Sequence, residues 1–187
     1  MALHITTPAF EEGATFPVEH TCDGDNVSPL LRWDGEPKST VTFALIVEDP
    51  DAPGGTFTHW IVYNLPNDCH ELEKIIPIEK KLKNGAIQGK NDFGKLGYGG
   101  PCPPKGEEHR YIFKLFALRK KLPPESANDR QSFYNSIQNN VLEEASYMGR
   151  YQRKKYSMLT MDISNDLIIL LHVIIAYVLS GLIFFFL

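Results

Sequence analysis

The sequence of 187 residues has only three cysteines, Cys22, Cys69 and Cys102, and no two of them form a CxxC pair. An odd, widely spaced set points to neither a disulfide framework nor a zinc knuckle, and it reads as free thiols in a reducing compartment. Positive charge is not in surplus: 19 Lys and Arg against 23 Asp and Glu give a net charge of -4. That balance argues against a nucleic-acid partner, despite the local cluster Arg150-Tyr151-Gln152-Arg153-Lys154-Lys155. There is no internal repeat or low-complexity segment, and no serine or cysteine sits in a nucleophile elbow. The start, Met1-Ala2-Leu3-His4, lacks both the basic leader and the apolar stretch of a secretory signal, so the domain is expected to stay in the cytosol.

Charge is missing altogether from 167–187, where only His172, Tyr177, Ser180 and Gly181 interrupt aliphatic and phenyl side chains. As a helix this run would reach about 31 Å, close to the hydrocarbon thickness of a bilayer. A core helix apolar on every side would need more protein surface than a terminal segment finds, so the expectation is a membrane anchor. Arg150, Arg153, Lys154 and Lys155 precede the run and favour a cytoplasmic flank. An accidental extension is the other reading. The expected organisation is a folded domain over 1–149, a basic linker over 150–163 and a transmembrane tail over 164–187.

The first 120 residues present short apolar runs punctuated by Gly, Pro, Asn and Asp, which predicts a β-sandwich rather than a helix bundle. The segment 41–48 is almost continuously apolar and β-branched, as for a strand buried on both faces. The segments 59–65 and 111–118 are the other two strong strands. Asn84-Gly85 is placed to close a hairpin between Leu82 and Ala86-Ile87. Phe133, Ile137, Val141 and Ala145 recur every four residues, which predicts a helix over 129–147 with Asn128 or Asp129 at its cap.

Two motifs adjoin those strands. Asp49-Pro50-Asp51-Ala52-Pro53 leads to His59, and Gly97-Tyr98-Gly99-Gly100-Pro101-Cys102-Pro103-Pro104 leads to His109-Arg110-Tyr111. The prolines stiffen the exit from the first strand, and two carboxylates one residue apart in extended chain point to opposite sides, so only one of them lines a pocket. Taken alone, DPDAP is an ordinary exposed turn and either histidine an ordinary core residue. Together they point to an anion site, with the glycine loop offering backbone N–H groups as a concave nest and histidines as further donors. The GxGxxG-like glycines do not mark a nucleotide fold, because they lead into a strand. Two histidines and a carboxylate also suit a metal or a base with its orienter, a reading that needs more assumptions.

These motifs, with Thr21-Cys22-Asp23-Gly24, Ser28-Pro29 and Trp33, make the chain resemble the phosphatidylethanolamine-binding protein or Raf kinase inhibitor-like family over 3–155, and specifically its short prokaryotic branch. The resemblance implies a mainly β fold, an antiparallel Greek-key-like sandwich with a few peripheral helices, to which the tail adds a C-terminal hydrophobic helix. It implies a pocket for phosphate-like anions or phosphorylated head groups, with Asp49, His59 and His109 lining it and Gly99, Gly100, Pro101 and Tyr111 as walls. Pro53 would shape the rim, Asp51 would support nearby structure, and Arg110 would tie the loop down by a salt bridge. No catalytic residue, metal or cofactor is implied. The alternative is a protein-interaction module that inhibits a kinase or serine protease. Glu107 and Glu108 depart from an anion-friendly pattern, since their negative potential would weaken anion binding or raise the pKa of His109.

Overall fold

A computed structural model describes residues 2–155. Eight strands and one α-helix make up most of it. β1 (His4–Thr6), β2 (Leu31–Asp34) and β5 (Glu71–Leu72) form a small sheet in the order β1-β2-β5. The larger sheet takes β3 (Thr42–Asp49), β4 (Phe57–Pro66), β6 (Ile87–Gln88), β7 (Glu108–Leu118) and β8 (Val141–Gln152) in the order β6-β4-β3-β7-β8. Every strand pairing is antiparallel, and β7 returns past three intervening strands to pair with β3. The mainly β expectation therefore holds.

The apolar pattern explains the layering. Phe43, Leu45 and Val47 of β3 face the small sheet and share a core with Trp33, Trp60, Phe113 and Phe16. The alternate residues Ala44 and Ile46, with Ile61, Tyr63 and Phe116, pack beneath Phe133 and Ile137 of α1 (Arg130–Ile137). Covered on both faces, β3 has every residue buried, which is why its sequence reads as one apolar run. Glu48 at its end is buried too, and it is held by Arg130 Nε at 2.5 Å, Lys114 Nζ at 2.9 Å and the Tyr134 hydroxyl at 2.9 Å. The Asn84-Gly85 turn forms as expected, with Gly85 at φ +90° and Leu82 N–H donating to Ala86 O.

The predicted helix over 129–147 is half right. A capping box between Asp129 and Ser132 starts α1, which ends at Ile137, and the chain turns at 139–140 into β8. A four-residue spacing is a multiple of two, so Val141 and Ala145 also share one face of a strand, and eleven paired positions with β7 decide for it. Consequently Arg150, Tyr151 and Gln152 belong to the sheet and not to a linker.

Two expectations on location are corrected. Among the described residues no helix is long and apolar enough to cross a membrane, α1 having only eight residues. The reading of a cytoplasmic domain anchored by its tail is therefore withdrawn, and the segment 164–187 on which it rested lies outside the described residues. The cysteines are not all thiols: Cys22 and Cys102 form a disulfide with a Cα–Cα distance of 5.4 Å, leaving Cys69 free. A separation of 80 residues hid the pairing, because spacing along the chain says nothing about two loops that meet in space.

Candidate functional site

The strand order of the larger sheet assembles the site. β4, β3 and β7 are neighbours and antiparallel, so the end of β3 and the beginnings of β4 and β7 meet at one end of the sheet. Asp49 closes β3, His59 stands near the start of β4, and His109 near the start of β7. Asp49 continues the inward-facing series Phe43, Leu45, Val47, and His109 continues Tyr111, Phe113, Leu115. Strict alternation would send His59 to the opposite face, since Trp60 and Val62 point inward. The pairing instead jumps from Val47↔Trp60 to Glu48↔Thr58, leaving His59 as the extra residue of a bulge. Bulges re-aim a side chain in this way, and the His59 ring accordingly meets Tyr111 edge-on at 5.1 Å on the inner side.

All three side chains are almost fully buried and line one cavity of about 340 Å³, together with Pro53, Phe57, Phe93 and Arg153. His109 Nδ1 lies 2.8 Å from Asp49 Oδ2, and His59 Nδ1 lies 2.6 Å from Gly99 O. A carboxylate and a carbonyl only accept, so each Nδ1 carries the hydrogen and each neutral ring keeps its lone pair on Nε2. Nε2 is thus the free edge of both imidazoles. Burial pushes the His59 pKa down from its ordinary value, opposed by the bond to Gly99 O and by the charge of Asp49. The Glu107 carboxylate lies 3.6 Å from His109 Nε2, whereas Glu108 turns outward to Arg150 at 3.4 Å.

The remaining expected site residues are placed as follows. Tyr111 sits behind the His59 ring, 1% exposed, its pKa raised first by burial and then by the Asp49 charge. Gly99 and Gly100 line a neighbouring cavity of about 200 Å³, and Pro101 uses its carbonyl to accept from Cys22 N–H at 3.1 Å. The expected nest does not form, because the loop amides are already engaged: Gly97 with Gly89 O, Gly99 with His59 O, and Gly100 with Asn26 Oδ1. What the glycines provide is closeness. A Cβ on Gly100 would collide with the carbonyl oxygen of His20, a backbone atom that cannot swing away.

Asp51 and Arg110 act as expected, in a bidentate pair with Nε–Oδ2 at 2.9 Å and Nη2–Oδ1 at 2.7 Å, and the Arg110 amide also donates to Asp51 at 2.9 Å. The Arg110 guanidinium holds the Asp51 carboxyl at about 2, below its ordinary 3.8. A folded-state pKa below the unfolded one gives stability that is complete above about pH 4 and lost as pH falls through about 2. Unfolding midpoints of Asp51→Asn are therefore expected below wild type at pH 6, with the gap closing as pH approaches 2.

Sequence reasoning missed Arg153, Phe57, Phe93 and the disulfide. Arg153 had been assigned to the linker, yet it lines the cavity while its guanidinium grips Asp23 at 2.9 and 3.0 Å, 130 residues away. No local signal marks such a contact. Among the described residues no three His, Cys, Asp or Glu side chains cluster as metal donors.

Comparison with known proteins follows the same lines. The family profile described as phosphatidylethanolamine-binding protein matches residues 6–152. A UPF0098 protein of Methanothermobacter thermautotrophicus is 43% identical over 151 residues, covering 81% of this chain and 99% of the relative. A UPF0098 protein of Aquifex aeolicus is 42% identical over 155 residues, covering 81% and 89%. The crystal structure of Escherichia coli YbcL, described as a new member of the mammalian PEBP family, is 35% identical with a TM-score of 0.76 over 82% of this chain and all of that one.

Proposed function

The chain belongs to the phosphatidylethanolamine-binding protein family, and from that membership and the geometry of the pocket we propose that it binds phosphate-like oxyanions or phosphorylated ligands without turning them over. The observation that carries the reading is the pair of imidazoles whose Nδ1 edges are fixed by Asp49 and Gly99, leaving both Nε2 edges without a hydrogen bond in one cavity that Arg153 also lines, with the Glu107 carboxylate 3.6 Å from Nε2 of His109. Arg153, paired with Asp23, adds a cationic side chain to the wall that an oxyanion there would meet. Either an imidazole takes up a proton on Nε2 and donates it to the anion, or the ligand brings the proton as an acidic O–H; both routes give the same complex.

Binding without chemistry is favoured by what the cavity wall contains. Among the described residues it has no serine or threonine hydroxyl, and the one cysteine there, Cys102, is tied up in the disulfide. Asp49 and His109 have the form of a base with its orienter, but nothing beside them is placed to be activated as a nucleophile.

Calorimetric titration of the full chain with inorganic phosphate at pH 6 tests the reading. Removing one charge-assisted hydrogen bond costs about 2 kcal/mol, or about 30-fold in affinity, so His109→Ala is expected to bind that much more weakly. Asp49→Asn, which removes the acceptor charge that orients His109, is expected to bind more weakly as well. Unchanged affinity in both variants would remove this pocket from consideration.

A further inference from the structure

Two cavities share a wall. The one holding the histidines and a second of about 200 Å³ are both lined by Phe93 and Cys102. Phe93 stands edge-on to His59 at 5.3 Å and to Phe57 at 4.7 Å, and it is 44% exposed, so its ring forms an open partition. At about 30 Å³ per water, the first cavity alone has room for about eleven, far more than a single tetrahedral oxyanion displaces. An oxyanion at the imidazoles therefore fills part of a longer space.

The second cavity has its own chemistry. Asn26 lines it with its oxygen committed to the Gly100 amide at 2.7 Å, which leaves the side-chain NH₂ as its free donor end. Lys95 lines it as well, and among the described residues its ammonium makes no ion pair with a carboxylate. The buried Asn91 amide is tied at both ends, its NH₂ donating to Gly97 O and its oxygen accepting from the Lys95 N–H. Asp92, which accepts from the Thr58 amide at 2.6 Å, and Asp23, which holds Arg153, form no ion pair with Lys95 among the described residues. Asn26 and Lys95 are both exposed to solvent, so the polar side-chain groups open to a ligand at this cavity are donors, one of them cationic.

We propose that the two cavities form one bipartite site for an elongated ligand with an anionic group at each end, the first at His59 and His109 and the second at Lys95 and Asn26, with an apolar spacer lying across Phe93. This rests on the anion reading of the first cavity. It adds a second recognition point that sets ligand length, and it makes Lys95 a specificity-determining residue.

The test is a titration of the full chain with inorganic phosphate, with alkylphosphonates, and with α,ω-alkane bisphosphonates of increasing spacer length. One spacer length is expected to bind at least tenfold tighter than the monophosphonate of equal chain length. Lys95→Ala is expected to abolish that gain while leaving inorganic phosphate unaffected, and Lys95→Arg to preserve it. The bipartite site alone is overturned if phosphate binding depends on His109 but no bisphosphonate exceeds its matched monophosphonate. The same holds if Lys95→Ala weakens phosphate and every bisphosphonate equally. Phosphate binding that is absent, or indifferent to His109→Ala, brings down both this proposal and the reading beneath it.

Discussion

Replacing both Cys22 and Cys102 with serine is expected to lower the free energy of unfolding by about 4.5 kcal/mol, the chain-entropy value for a bond joining residues 80 apart. Total stabilities of domains run to about 5–15 kcal/mol, so this one cross-link is a large share. The loss arises mainly in the unfolded chain, which gains freedom once the loop opens. In guanidinium titrations the midpoint should therefore fall and the slope rise, as the denatured state exposes more surface. Reduced wild type should match the double variant. A loss under about 1 kcal/mol would mean that other contacts hold the two loops: Cys22 N–H to Pro101 O, Gly100 N–H to Asn26, and the Tyr98 hydroxyl to His20 O.

The bond also bears on the site. Cys102 forms part of the wall of both cavities, and next to Cys22 stands Asp23, which clamps Arg153 and accepts from the Tyr151 hydroxyl at 2.8 Å. Opening the disulfide thus loosens the wall and the mount of the one arginine in the pocket together. Anion affinity should fall in the serine variant along with stability.

A second large effect is expected from pH. Sulfate carries no proton to give near neutrality, so it can be held at Nε2 only when an imidazole takes one up. Its affinity should drop about tenfold for each pH unit above the pKa of the group that takes the proton, which is one proton's worth of linkage. The pH window follows from which ring is involved. Burial depresses His59 below its ordinary 6.5, so near neutrality that ring resists charging. Around His109 stand Asp49 and Glu107 as carboxylates and Arg153 as a cation, with the Asp51–Arg110 pair on the next turn of chain. His109→Ala should therefore flatten the pH profile of sulfate binding, whereas Glu107→Gln should keep its slope and raise the affinity at low pH, by removing a negative charge 3.6 Å from Nε2.

How much of this could be read from the sequence follows from which interactions are local. The β3 run announced a doubly covered strand because its apolar content is continuous. The two motifs announced Asp49, His59 and His109 because rigid loops beside strong strands are where side chains converge. The helix over 129–147 was overextended because four-residue spacing satisfies both periods, and only the β7 partner distinguishes them. The inward aim of His59 was right for a reason the sequence does not display, since it depends on a bulge in the pairing of two strands. The glycine loop was recognised, but its role was misassigned. Whether an amide faces a ligand or another loop is settled by Asn26, 74 residues away. Arg153 and the disulfide are long-range in the same sense, and no window of neighbouring residues contains them.

The central claim is that two imidazoles, oriented through Nδ1, hold an oxyanion between them only with a proton on Nε2, which for sulfate must be taken up from solution. Calorimetry of sulfate binding to the full chain at pH 7, repeated in buffers of different ionisation enthalpy, measures this directly. The account predicts an observed heat that rises linearly with buffer ionisation enthalpy, with a slope of about one proton taken up per sulfate bound. A slope of zero with sulfate still bound, or a slope that His59→Ala and His109→Ala both leave untouched, would contradict it.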